Sequence, residues 1–141
     1  MALAMSVAQS NAFLDREFPQ IAGQVRVETS DEERLIARLI VGEAHLRPGG
    51  TISGPAMFAL ADVAIYLAIL ARIGEVALAV TTNASVDFMR KPEAGRDLIA
   101  ECRLLKLGRV LAVGEVMIRS EGVEGIVARC SMTYSIPPKA P

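Results

Sequence analysis

Apolar and polar positions change period several times along this chain, and each change marks an element. From Met1 to Glu17 the two kinds of residue mix as in an amphipathic helix. Gln24 to Glu28 and Glu33 to Val41 alternate or run apolar around the turn formers Thr29, Ser30 and Asp31, which predicts a first hairpin. A loop from Gly42 to Ile52 follows. Ser53-Gly54-Pro55 then reads as a helix start, because serine caps well and proline lacks an N–H only where none would be paired. The helix is predicted from about Pro55 to Ile73, ending at Gly74. It is apolar nearly all round and so must be buried, and Ala61, Ala64, Ala68 and Ala71 give it a line of small residues for close packing.

The remainder reads as four strands. In the first, Val80, Thr82, Ala84, Val86 and Phe88 share one face and Thr81, Asn83, Ser85 and Asp87 the other, the pattern of a half-buried strand. After a turn over 91–96, Leu98, Ala100, Cys102 and Leu104 alternate with Ile99, Glu101, Arg103 and Leu105. Leu107-Gly108 supplies a tight hairpin to a strand from Val110 to Ile118, and the last strand lines Ile126, Ala128, Cys130, Met132, Tyr134 and Ile136 along one face before Pro137-Pro138. The order is helix, two short strands, one long buried helix and four consecutive antiparallel strands, which predicts an α+β fold with a sheet wrapped around the central helix. No repeat is present, and residues 1–141 read as a single domain.

Composition narrows the function. A chain of 141 residues that is 52% hydrophobic builds a core without metals or disulfides. Fifteen Lys and Arg against sixteen Asp and Glu leave a net charge of -1, so no positive field exists to hold a nucleic-acid backbone or an anionic membrane. Cys102 and Cys130 sit in strand-like alternation as small buried hydrophobes, which fits a reducing compartment. The N-terminal stretch lacks a basic region followed by a long apolar one, so no export signal is read and a cytoplasmic location is expected. Between Pro48 and Ala71 the only charge is Asp62, a length sufficient for a membrane span, but a central aspartate and the Gly and Pro at its start argue for a core helix.

Asp62 is also the first candidate for chemistry. A carboxylate in a buried helix carries a desolvation cost that hydrogen bonds or catalytic use must offset, and its own helix offers only the Tyr66 hydroxyl. Backbone N–H groups from the sheet are the structural alternative. The second candidate is the helix start at Ser53-Gly54-Pro55, where N–H groups and the positive end of the helix dipole suit a developing negative oxygen, with plain capping as the alternative. Gly54 and Asp62 are eight residues apart, about 12 Å along one helix, so one helix cannot bring both to a single carbonyl. Two copies of the helix running antiparallel across a dimer axis can.

The run HLRPGGTISGPAMFALADVA resembles the signature of hotdog-fold acyl-CoA thioesterases of the phenylacetate-pathway (PaaI-like) type, through His45, Gly50, Thr51, Gly54, Leu60 and Asp62. TTNASVDFMRKPEAG and LLKLGRVLAVGEV resemble the strand after the helix and the hairpin of that family. The likeness implies hydrolysis of a medium-chain or aromatic acyl-CoA, with no cofactor beyond the coenzyme A of the substrate and no metal. It implies that Asp62 activates water or attacks the carbonyl, that the Gly54 N–H of a second chain polarises the carbonyl oxygen, and that Thr81 or Thr82 helps hold the water. It also implies a homodimer with a continuous sheet, often paired into a tetramer. Arg90, Lys91, Lys106 and Arg109 are expected to contact coenzyme A phosphates. His45, Arg47 and Ser53 are further substrate-binding candidates. The sequence departs from the family pattern at Arg47 (Asn in the family), Ser53 (His) and Pro55 (Gly). Arg47 would then serve an acidic acyl group or a phosphate. The same departures frame the alternative, a hotdog protein that binds acyl-CoA without hydrolysing it.

Overall fold

The structure, a computed structural model, describes residues 3–138. Met1 and Ala2 of the predicted N-terminal segment, and residues 139–141 of the predicted domain, lie outside the described residues. Helix α1 (Val7–Glu17) starts on a reciprocal cap, in which Ser6 Oγ accepts from the Gln9 N–H and Gln9 Oε1 accepts from the Ser6 N–H. A short α2 (Pro19–Ala22) follows. Strands β1 (Val25–Ser30) and β2 (Leu35–Leu39) form the expected hairpin. Its turn lies later than predicted, over 31–34, because β1 bulges between Val27 and Thr29 and Asp31 closes the turn by accepting from the Glu33 and Arg34 N–H groups.

Helix α3 (Gly54–Ile73) matches the predicted central helix. Ser53 Oγ accepts from the Ala56 N–H at 3.2 Å, and Gly74, at φ 93°, ends the helix in a conformation that glycine adopts without steric cost. Four more strands, β3 (Val80–Phe88), β4 (Leu98–Leu107), β5 (Leu111–Ser120) and β6 (Ala128–Ser135), complete a six-stranded antiparallel sheet of order β1-β2-β4-β5-β6-β3. The sheet curls around α3, whose residues from Leu60 to Ala71, Asp62 excepted, are buried. The helix is apolar and long enough to cross a membrane, yet most of it is enclosed by its own sheet.

The prediction for β3 needs correction. The strand read as half-buried is mostly exposed, and it crosses over to pair with β6, Val80 opposite Ser135 and Phe88 opposite Ala128. Only Thr81 and Val86 are half-buried within the protomer, and the rest of the strand is exposed. Alternation reports that one face is apolar; it does not report which layer covers that face.

Close approach of α3 to the sheet rests on small residues. Ala61 and Ala64 are fully buried, and a Cβ added to the buried Gly114 of β5 would lie 3.0–3.3 Å from three side-chain atoms of Ile65. We therefore expect Gly114→Val to destabilise the fold by about 1–3 kcal/mol through overpacking, read as a lower midpoint in denaturant unfolding. An unchanged midpoint would show that the helix has room to retreat.

Candidate active site

Asp62 sits on the half-buried side of α3, where the helix meets β3 and β6. Its Oδ1 accepts two hydroxyl bonds, from Thr81 Oγ1 at 2.5 Å and from Tyr134 Oη at 2.7 Å. Tyr134 Oη also lies 2.9 Å from the Asp62 carbonyl oxygen. Both of the partners expected from sequence, the Tyr66 hydroxyl and backbone N–H groups, are replaced by these hydroxyls; Tyr66 Oη donates instead to the Ala77 carbonyl at 2.9 Å.

A bulge aims Thr81. In the β3–β6 ladder Thr81 opposes Tyr134 and Asn83 opposes Thr133, so Thr82 is the extra residue. Residues directly opposite each other point to the same face, and Thr81 and Tyr134 therefore both face α3. Past the bulge the parity changes, with Ala84, Val86 and Phe88 opposite Met132, Cys130 and Ala128, whose side chains are buried on the helix side. Thr82 Oγ1 reaches only the Thr133 carbonyl at 3.3 Å. Of the two threonines expected from sequence, Thr81 is the one that touches Asp62.

Tyr134 had no place in the sequence reading beyond an apolar strand face. Burial pushes its hydroxyl well above the ordinary phenol range, and the Asp62 carboxylate pushes it further, so it stays protonated and can donate. Its ring stacks on Tyr66, with centroids 6.2 Å apart, and Tyr66 in turn meets Phe13 and Phe18 at 6.1 and 6.3 Å. Asp62, Thr81 and Tyr134 line a cavity of about 620 Å³ whose other walls include Phe18, Val63, Tyr66 and Leu78. Helices α1 and α2 thus supply part of the wall, which no sequence motif announced.

Gly54 lies on a different cleft, of about 520 Å³, together with Arg47, Thr51, Phe88, Arg90 and Lys91. Two consecutive glycines, Gly49 at φ 98° and Gly50 at φ 82°, turn the loop back so that the Arg47 N–H donates to the Thr51 carbonyl ahead of the helix. Phe88 packs against Gly54, where an added Cβ would meet its ring at 3.3 Å. Ser53 serves as the helix cap. Three of the expected cationic residues are therefore gathered beside the helix start. Lys106 and Arg109 stand apart near the β4–β5 hairpin, Arg109 on a separate apolar cavity with Ile73 and Val110.

His45 is a loop anchor. Its Nδ1 accepts from the Gly42 N–H at 2.8 Å, which leaves Nε2 protonated to donate to Gln24 Oε1 at 2.8 Å. It is buried with both nitrogens engaged, and its carbonyl accepts from the Ser53 N–H, so it supports the helix start from behind. Among the described residues no cluster of three or more His, Cys, Asp and Glu converges. The arrangement as a whole offers one oriented carboxylate in a cleft of mixed apolar and polar walls, Glu17 and Gln20 among them, and one helix N-terminus beside a cationic cleft.

Comparison with known proteins identifies the family and the fold. A thioesterase superfamily profile matches residues 49–127. A crystal structure from Silicibacter sp. TM1040, described as a candidate thioesterase, is 57% identical with a TM-score of 0.91, covering 98% of this chain and 96% of its own. The phenylacetic acid degradation protein PaaI of Thermus thermophilus is 28% identical with a TM-score of 0.72, covering 84% and 99%. Acyl-coenzyme A thioesterase 13 of Homo sapiens is 23% identical over 114 residues, 81% of each chain.

The cysteines are unpaired and buried, and burial pushes Cys102 up to about 12 and Cys130 up to about 11. At pH 8 both are protonated and poor nucleophiles. The folded protein should leave an aromatic disulfide reagent unreacted over minutes and yield two thiols once denatured. Rapid native release of one thiol would contradict this placement.

Proposed function

Because the chain belongs to the thioesterase superfamily, and is accordingly a thioester hydrolase, we propose that it hydrolyses acyl-CoA thioesters carrying a medium-chain or aromatic acyl group, with Asp62 as the base. The observation that carries this reading is the Asp62 carboxylate, held by two hydroxyls at the wall of a cleft whose apolar side is made by Phe18, Val63, Tyr66 and Leu78. In the proposed reaction Asp62 takes a proton from water as the water oxygen attacks the thioester carbonyl carbon. The tetrahedral oxyanion forms, the C–S bond breaks, and the proton passes to the departing thiolate, giving the free acid and coenzyme A. Phe18, Val63, Tyr66 and Leu78 provide the apolar surface for the acyl group, and Arg47, Arg90 and Lys91 suit the phosphates of coenzyme A.

The oxyanion donor is assigned to the partner's Gly54 in a two-fold dimer. Two observations support it. Gly54 and Asp62 of one protomer line separate clefts, and β3 offers an unpaired sheet edge with exposed Val80 and Phe88 beside the exposed Phe58 of α3. Joining two β3 edges would extend the sheet through the dimer and bring each helix start toward the other carboxylate. The two unpaired cysteines suit the reducing cytoplasm.

Asp62→Asn should lower kcat at least about a hundredfold on a panel of acyl-CoAs followed by thiol release, with the fold retained. Turnover near that of the parent would remove Asp62 from the mechanism. Subunit mixing tests the shared site. Asp62→Asn and Gly54→Pro proteins, each inactive alone, should regain about a quarter of parental activity when refolded together, because each mixed dimer restores one of two sites. No recovery from a demonstrated mixed dimer would place both groups in one protomer.

A further inference from the structure

The two hydroxyls at Asp62 do not share themselves between its oxygens. Thr81 Oγ1 and Tyr134 Oη both fall on Oδ1, at 2.5 and 2.7 Å, and neither reaches Oδ2. A carboxylate oxygen has two lone-pair sites in its plane, so two donors occupy Oδ1 fully while Oδ2 keeps both of its sites. The carboxylate is also fixed in rotation, because exchanging the two oxygens would break both bonds at once. Resting on the reading of Asp62 as the base, we propose that Tyr134 is a positioning residue: with Thr81 it immobilises Oδ1 and makes Oδ2 the oxygen that takes the proton from water.

Tyr134 suits this role better than a surface hydroxyl would. It comes from the buried face of β6, its ring is clamped by the stack on Tyr66, and its single hydroxyl proton lies between Asp62 Oδ1 at 2.7 Å and the Asp62 carbonyl oxygen at 2.9 Å. Thr81 sits opposite it in the ladder, so one strand pair sets both donors. The helix supplies the carboxylate and the sheet supplies its orientation. Tyr134 itself passes no proton to the substrate; it acts through Asp62.

Tyr134→Phe tests this while keeping the ring and its stack. Measured with a medium-chain acyl-CoA by thiol release, kcat should fall about tenfold, the cost of one charge-assisted hydrogen bond, with KM within about twofold of the parent. Thr81→Val should lower kcat in the same way with KM kept, and the double variant should fall further than either. A kcat within about twofold of the parent in Tyr134→Phe, or a fall matched by an equal rise in KM, would mark the tyrosine as packing alone and overturn the proposal. Asp62→Asn run in parallel separates the two readings. If that variant is inactive while Tyr134→Phe keeps the parental kcat, only the positioning role fails; if it is active, the base assignment fails and this proposal with it.

Discussion

How closely α3 approaches the sheet governs everything else in the protomer. Aspartate has a short side chain, and hydroxyls on the sheet reach its carboxylate only where the two layers nearly touch. Fully buried Ala61 and Ala64 on the helix, and Gly114 on β5 with Ile65 pressed over it, permit that approach. A retreat of the helix by about one ångström would turn bonds of 2.5 and 2.7 Å into contacts too long to orient a charge. The same packing that stabilises the core therefore sets the precision of the site, and the small residues are as much part of the chemistry as of the fold.

Strand β3 joins this packing to the assembly. Its bulge at Thr82 shifts the register with β6 by one residue and so turns Thr81 toward the helix, while its other edge carries no strand among the described residues. One segment thus places a hydroxyl on the proposed base and presents the surface on which a second copy can complete the site. Losing the bulge would reverse the parity of the strand: Thr82 would face the helix and Thr81 the opposite side.

Much of the fold was legible because its signals are local. The cap at Ser53, the stop at Gly74 and the all-round apolar run between them gave α3 within a residue. The alternation in β6 gave its buried face. What was not legible depends on contacts between distant residues. That β3 pairs with β6 and stays exposed follows from the crossover, which no local pattern encodes. The extra residue at Thr82 left sequence unable to choose between two adjacent threonines, since parity read straight through the strand puts Thr82 with the apolar face. Tyr134 was hidden for a related reason: on an apolar strand face a tyrosine reads as bulk, and its hydroxyl acquires meaning only once Asp62 is seen 2.7 Å away. The cationic candidates near Gly54 were found as turn charges, but their division into a gathered set and a separate pair at the hairpin needed the three-dimensional arrangement.

The use of hydroxyls in place of a cation at Asp62 has its own logic. A half-buried carboxylate needs hydrogen-bond partners to offset the water it loses. An arginine would do so strongly, but its planar fork binds both carboxylate oxygens and leaves neither for water, while holding the charge too firmly to accept a proton. A neutral hydroxyl stabilises the charge less and occupies one oxygen at a time. Two of them on Oδ1 hold the group still in rotation, yet leave Oδ2 free of hydroxyl donors. The arginines of this region lie instead on the Gly54 cleft, where they suit phosphates and stay clear of the base. Separating the two kinds of partner between two clefts would resolve the conflict between binding a polyanionic substrate and keeping a carboxylate reactive, and the proposed two-fold dimer would bring the clefts together around one thioester.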